Sequence, residues 1–290
     1  MIEVKDLSFA YSNAKVLDNI STTFAQGRIY GLLGANGVGK STLFKLLCGL
    51  LTTKCGEIDI DGYSPADRMP GFLSRIFYIP EDFEGPDVSI KNYASGVSAF
   101  YPKYDESLLN SLLNDFDIDI NRKFTSLSLG QRKRAILCVA LAMNTEYLLL
   151  DEPTNGLDIP AKAEFRKMVA KAMDDNRTII ISTHQVKDVE NLLDHIMILD
   201  KRCVLLDKSV ADIQSEYVFE VVKDMLNDEL FKYAFVCYHD GSYYFYMIDD
   251  FIYKEVINNF RNIIIKELKN IDGLENIDNE IKIQYINKIY

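Results

Sequence analysis

The chain of 290 residues contains no long apolar run. The longest, AILCVALAM from Ala135 to Met143, falls well short of the roughly 18 residues of a membrane span. Any membrane process it serves therefore needs another chain to cross the bilayer. Excess positive charge is missing too: the formal net charge is −11, from 43 acidic and 32 basic residues. That balance argues against nucleic-acid binding as the main role. Cysteines are few, and Cys48, Cys55, Cys138, Cys203 and Cys237 form no C-x-x-C pair. An odd, unpatterned set suggests reduced thiols in a cytoplasmic protein. The start, MIEVKDLSFAY, lacks a basic segment followed by an apolar stretch, so no signal peptide is expected. There is no internal repeat and no low-complexity segment. A chain this long buries a large core, as one big domain or two unequal ones.

What is present is a glycine-rich turn. Gly34-Ala35-Asn36-Gly37-Val38-Gly39-Lys40-Ser41 fits G-x-x-x-x-G-K-[ST] at every fixed position, and Thr42 follows. RIYGLLG before it reads as a buried parallel strand. TLFKLLCGLL after it sets Leu43, Leu46, Leu47 and Leu50 at helical spacing. Glycines let the backbone turn so that successive N–H groups and the helix N-terminus face an anion. In that setting Lys40 reaches the β- and γ-phosphates of a nucleoside triphosphate, and the Ser41 hydroxyl binds Mg²⁺.

A second motif, YLLLDEPTNGLD, is an apolar strand ending in Asp151-Glu152. Beside a phosphate turn, an Asp at the end of a neighbouring strand holds Mg²⁺, directly or through water. Glu152, the next residue, is then placed to polarise a water attacking the γ-phosphate. Pro153, Thr154, Gly156 and Asp158 follow in fixed positions.

The wider pattern alternates. Strands are expected in residues 1–80, and helices in 82–145 from SIKNYASGVSAFY, ESLLNSLLNDF and QRKRAILCVALAM. Two more apolar strands, TIIIST and HIMILD, have MVAKAMDD and VKDVENLLD as expected helices around them. Such alternation gives an α/β fold with a largely parallel sheet. Beyond about residue 212 the composition becomes aromatic. FVCYHDGSYYFYM, with Asp240-Gly241 between strand-like runs, predicts a hairpin, and YKEVINNFRNIIIKELKN predicts an amphipathic helix. Residues 213–290 thus read as a small α+β accessory region; the alternative is that they continue the main sheet.

Taken in order, these segments resemble the nucleotide-binding ATPase subunit of an ATP-binding cassette (ABC) transporter. The resemblance covers residues 1 to about 212: phosphate turn, a signature segment Leu127-Ser128-Leu129-Gly130-Gln131, acidic strand, then His184 in ISTHQ. It implies a P-loop NTPase-type, mostly parallel sheet with an antiparallel β subdomain and a helical subdomain over about 82–145. The implied ligands are ATP and Mg²⁺. Tyr11 matches the aromatic residue that stacks on adenine. Ser128, Gly130 and Gln131 match the signature residues that meet the γ-phosphate bound to an opposite protomer. Asp158 matches an acidic position passing between protomers, and His184 the histidine that hydrogen-bonds the γ-phosphate. His195 and His239 match nothing. Two chains would sandwich two ATPs head to tail, with C2 symmetry as a homodimer.

The implied partner is a separate transmembrane permease, with the ATPase peripheral on the cytoplasmic face of the membrane. The resemblance is closest to separately encoded subunits common in bacterial exporters, so an exporter is the expected direction. A soluble ABC ATPase that does not transport, or a regulatory ATP-binding module, is the alternative; Glu152 and the single cassette argue against both. Two departures stand out. Glu81, in YIPEDF, occupies the place of a glutamine that touches Mg²⁺. Either its carboxylate joins the metal shell, as a hard oxygen ligand, or a neighbouring residue does and Glu81 is solvated. Leu129 stands where glycine is common. Arg132, Lys133 and Arg134 read as a solvated first turn of a helix starting near Arg132, since cations there oppose the helix dipole.

Overall fold

The computed structural model describes residues 1–216 and two later strands, Ala234–His239 and Ser242–Met247. The chain divides into two compact units, Met1–His184 with Asn191–Asp207, and Gln185–Glu190 with the chain from Lys208 onward.

The first unit opens with strands β1 (Ile2–Tyr11) and β2 (Ala14–Phe24), paired antiparallel across a tight turn. Alternating burial at Ile2 and Val4 is rephased by a bulge before Leu7, where Asp6 has φ +50°. Strand β3 (Ile29–Leu33) is buried at every residue, as a strand covered on both faces must be. Helix α1 (Lys40–Leu47) follows the glycine turn and buries Leu43, Phe44, Leu46 and Leu47. Strand β4 (Cys55–Ile60) returns to β1, completing an antiparallel sheet of order β2-β1-β4. The short helix α2 (Pro70–Leu73) leads into strand β5 (Ile76–Ile79).

The expected helical stretch holds α3 (Ile90–Ser98), α4 (Glu106–Asp115) and α5 (Leu129–Ala142). Ser89 and Asp105 cap the first two through their side chains, accepting from Asn92 N and Leu108 N. Helix α5 is buried from Ala135 to Ala142. It begins three residues earlier than the charged run suggested, because Ser128 and Gln131 form a capping box.

Strands β6 (Tyr147–Asp151) and β7 (Thr178–Thr183) flank helix α6 (Ile159–Ala172), and β8 (His195–Asp200) is followed by β9 (Cys203–Ser209). The second sheet has the order β5-β6-β7-β3-β8-β9, and β5, β6, β7, β3 and β8 pair parallel. Lys201 and Arg202, both at positive φ, make the two-residue turn into β9. The stretch VKDVENLLD is not the expected helix: it forms two 3₁₀ turns, Val186–Asp188 and Glu190–Leu192. Apolar residues three apart, such as Val186 and Val189, suit a three-residue turn as well as an α-helix.

The second unit contains α7 (Val210–Glu216) and the antiparallel pair β10 (Ala234–His239) and β11 (Ser242–Met247). His239 pairs with Ser242 at one end of the ladder, as the expected hairpin requires. The helix expected from YKEVINNFRNIIIKELKN lies outside the described residues.

Candidate nucleotide site

Strand order fixes what meets what. β7 lies between β3 and β6, with Leu33 opposite Thr183 and Asp151 opposite Ser182. The loop after β3, the acids ending β6 and His184 after β7 therefore leave the sheet side by side at its carboxyl edge. That edge is where open α/β sheets bind ligands.

Gly34 and Gly39 are required by space as well as by backbone. Gly34 has φ +152°, and a Cβ there would lie 2.4 Å from the Leu199 carbonyl oxygen. Gly39 has φ +115°, and its Cβ would meet Leu17 Cδ2 at 2.8 Å. Ala35, Asn36, Gly37 and Val38 complete the turn, and a Cβ at Gly37 would meet nothing within 4 Å. Gly39 is also the N-cap of α1 and offers no side chain to its N–H groups. Ser41 and Thr42 sit in that first turn, with positive helix-dipole character suited to an anion.

Lys40 is buried, and its Nζ donates to the carbonyls of Gly34 at 2.7 Å and Ala35 at 3.2 Å. The same ammonium pairs with Glu152 Oε1 at 3.3 Å. Glu152 Oε2 lies 2.9 Å from His184 Nδ1. The His184 backbone N–H also donates to Oε2, at 3.4 Å. Glu152 is 4% exposed and has φ +44°. A non-glycine residue held so costs on the order of 1–3 kcal/mol and persists where its surroundings fix it. Here its N–H is held by Ser182, through the carbonyl and Oγ, each at 3.1 Å.

Asp151, also buried, accepts from the Ser182 hydroxyl at Oδ1 and from the Tyr78 hydroxyl at Oδ2, the latter at 3.1 Å. Burial and the adjacent Asp151 push the Tyr78 phenol well above its usual range, so it remains a donor. Asp151 and Ser41 offer hard oxygens. Among the described residues no cluster of three or more His, Cys, Asp or Glu could hold an ion alone. Such a donor set fits Mg²⁺, which keeps waters and substrate phosphates as its other ligands.

The remaining expected residues make local contacts of their own. Tyr11 ends β1, half-exposed, edge-on to Phe9 at 4.9 Å between ring centres. Ser128 Oγ accepts from Gln131 N at 3.3 Å, and Gln131 Oε1 accepts from Ser128 N at 3.2 Å. Asp158 caps α6 by accepting from Ala161 N at 2.9 Å. A Cβ on Gly130 would lie 3.8 Å from Leu157 Cδ2, and one on Gly156 3.2 Å from Leu129 Cδ2. Leu129 therefore packs on the turn that leads to Asp158. Glu81 Oε1 accepts from Asn155 Nδ2 at 2.7 Å, a partner that its place after β5 did not reveal.

The basic run at the start of α5 corrects the expectation of a solvated turn. Lys133 Nζ donates to the carbonyl of Asn155 at 2.7 Å and reaches that of Glu152 at 3.4 Å. Arg134 pairs with Glu164 at 3.0 Å, and Arg132 Nη2 lies 3.4 Å from the Leu127 carbonyl. Carbonyl and carboxylate acceptors offset the unfavourable helix dipole. Tyr78, Ser182, Lys133 and Asn155 are site residues that sequence reasoning missed; only contact across the fold identifies them.

A family model described as ABC transporter matches residues 17–155. The ABC transporter ATP-binding protein YtrB of Bacillus subtilis is 30% identical over 220 residues, 75% of each chain. The chain belongs to the ABC transporter family. The lantibiotic transport ATP-binding protein SrtF of Streptococcus pyogenes is 30% identical over 215 residues, 72% of this chain and 90% of that one. The solved structure of an ATP-binding subunit of an ABC transporter superposes with a TM-score of 0.67 at 27% identity, covering 74% and 92% of the two chains. This protein is thus an ATP-binding ABC transporter subunit with the P-loop NTPase fold, and an ATPase that drives transport. Among its described residues, no helix is long and apolar enough to cross a membrane.

Proposed function

We propose that this ABC ATPase works as a pair of chains closing around two Mg-ATPs to drive a separate permease, of exporter type. The assembly of Lys40, Glu152, Asp151 and His184 at the ends of three adjacent strands carries the reading. Lys40 and the N–H groups from Gly34 to Thr42 bind the β- and γ-phosphates. Ser41 and Asp151 would hold Mg²⁺, with Glu81 beside them; the ion would neutralise phosphate charge. Tyr78 and Ser182 orient the Asp151 carboxylate. Tyr11 stacks on adenine.

Glu152 is the general base that takes a proton from the attacking water. It must be ionised to do so, and Lys40 and His184 hold one carboxylate oxygen each. His184 also senses the γ-phosphate. An incoming phosphate competes with Glu152 for Lys40, which frees one carboxylate oxygen for water. Ser128, Gly130 and Gln131 serve the ATP of the opposite protomer, and Asp158 passes between protomers. Ligand moves the open–closed equilibrium only through its differential affinity for the two states. The γ-phosphate supplies that difference, since the partner's signature meets it only on closure. The likeness to SrtF, named for lantibiotic transport, supports a role in transport. The protein would then sit at the cytoplasmic face of the membrane through its permease.

Glu152→Gln tests the reading. It should bind ATP normally, hydrolyse about 10²–10⁴-fold more slowly, and elute as a dimer with ATP. Wild-type hydrolysis would remove Glu152 from the base role; a monomer at saturating ATP would count against the sandwich. Co-purification with a multi-span membrane protein tests the permease.

A further inference from the structure

The turn after Asp151 is fastened from its far side. Lys133, near the start of α5, is half-buried, and its ammonium meets both ends of the turn: the Glu152 carbonyl at 3.4 Å and the Asn155 carbonyl at 2.7 Å. The turn closes on itself through Asn155 N–H to the Glu152 carbonyl at 3.2 Å. Asn155 Nδ2 then reaches Oε1 of Glu81, two residues past β5, at 2.7 Å. A compact ammonium with three donors suits two converging carbonyls better than a planar guanidinium does. Burial lowers the Lys133 pKa, while Glu81, Asp82 and Glu152 act against that, as expected of a side chain drawn in from water.

The backbone of Glu152 gives these bonds a consequence. Its φ of +44° is a conformation that an L side chain leaves unless held. A return to ordinary φ would swing the carboxylate away from Lys40 and His184. We propose that Lys133 is a positioning residue for hydrolysis, tying the Glu152–Asn155 turn to the signature helix so that the Glu152 carboxylate stays aimed. Asn155 extends the tie to Glu81. The helix that presents Ser128 thereby also holds the base of its own chain, which links signature and chemistry within one protomer. The inference rests on Glu152 being the base.

The test uses the full chain and four variants: Lys133→Met, Lys133→Arg, Glu152→Gln and the double Lys133→Met/Glu152→Gln. Mg-ATP affinity, single-turnover hydrolysis and thermal midpoint are measured for each. Misaiming a catalytic group costs up to about 100-fold, so Lys133→Met should lower the hydrolysis rate about 10- to 100-fold. Its ATP affinity should change by less than about threefold, and Lys133→Arg, whose planar guanidinium fits the two carbonyls less well, should recover only part of the rate. In the Glu152→Gln background, Lys133→Met should slow hydrolysis by less than about twofold, because the group it aims is gone. Equal slowing in both backgrounds would overturn the inference, as would a wild-type rate in Lys133→Met. So would a rate loss matched by lost ATP affinity. If Glu152→Gln alone hydrolyses at the wild-type rate, the base assignment fails first, and that result is distinct from the others. Should Lys133→Met not fold, Lys133→Gln, whose shorter side chain keeps an amide NH2 without the charge, takes its place under the same criteria.

Discussion

Replacing Lys40 should do more than abolish ATP binding; it should destabilise the protein without nucleotide. The ammonium and the Glu152 carboxylate are 3.3 Å apart, each with a side chain 5% exposed. Removing one member of a buried pair costs about 3–5 kcal/mol, because the other charge is left desolvated. His184 Nδ1 remains 2.9 Å from the second carboxylate oxygen and gives partial compensation. The Gly34 and Ala35 carbonyls lose a donor as well. The loss for Lys40→Ala is therefore set near the lower end, about 3 kcal/mol. In a unit of this size that lowers the melting temperature by about 6–12 °C. Glu152→Gln takes the carboxylate from the Lys40 ammonium, which keeps the Gly34 and Ala35 carbonyls as acceptors, so it should cost less, about 1–2 kcal/mol. The double variant leaves no unpaired carboxylate, so its loss should fall short of the sum by about 1–3 kcal/mol. Thermal unfolding of the four proteins without nucleotide decides the matter. Strict additivity, or a Lys40→Ala protein as stable as wild type, would refute the pairing.

Tyr11→Ala should weaken ATP binding by about 1–3 kcal/mol, by analogy with base–aromatic stacking, and leave the melting temperature unchanged because Tyr11 is 44% exposed; titration calorimetry with Mg-ATP and thermal unfolding check the two. Glu81→Gln keeps an oxygen to accept from Asn155, so the fold should hold. If Glu81 enters the metal shell, ATP binding should depend less steeply on Mg²⁺ in Glu81→Gln than in wild type, and superimposable titrations would reject that role. Gly34→Ala forces a Cβ to within 2.4 Å of the Leu199 carbonyl at φ +152°. It should lose about 1–3 kcal/mol of stability together with most ATP affinity; unchanged ATP binding would mean that the loop tolerates reshaping.

The phosphate turn was legible in the sequence because everything it needs is local. A buried strand, glycines and a helix start are read from consecutive residues, and the structure puts β3, the turn and α1 there. Asp105, Ser89 and Ser128 cap their helices through contacts three residues away, yet the helix after Ser128 was expected to start near Arg132. The basic run was misread for the same reason. Lys133 meets its acceptors 19 and 22 residues on, and Tyr78 meets Asp151 73 residues on. Local pattern weighs a cation only against the dipole of its own helix. Over VKDVENLLD it failed differently, since apolar spacing of three fits two kinds of turn.

Glu81 shows how an apparent departure becomes consistent once the fold is known. As a sequence feature it adds a negative charge beside a phosphate site, next to Asp82. In the structure its Oε1 accepts from an Asn155 amide hydrogen, and the Lys133 ammonium holds the Asn155 carbonyl at 2.7 Å. Lys133 thus brings one positive charge to a place where three acidic side chains, Glu81, Asp82 and Glu152, act on it. A glutamine at 81 would accept the same bond from Asn155 but would attract Lys133 less. The carboxylate at 81 and the cation at 133 are therefore best understood as one unit. Its charge balance depends on α5 staying packed against the turn that carries the base.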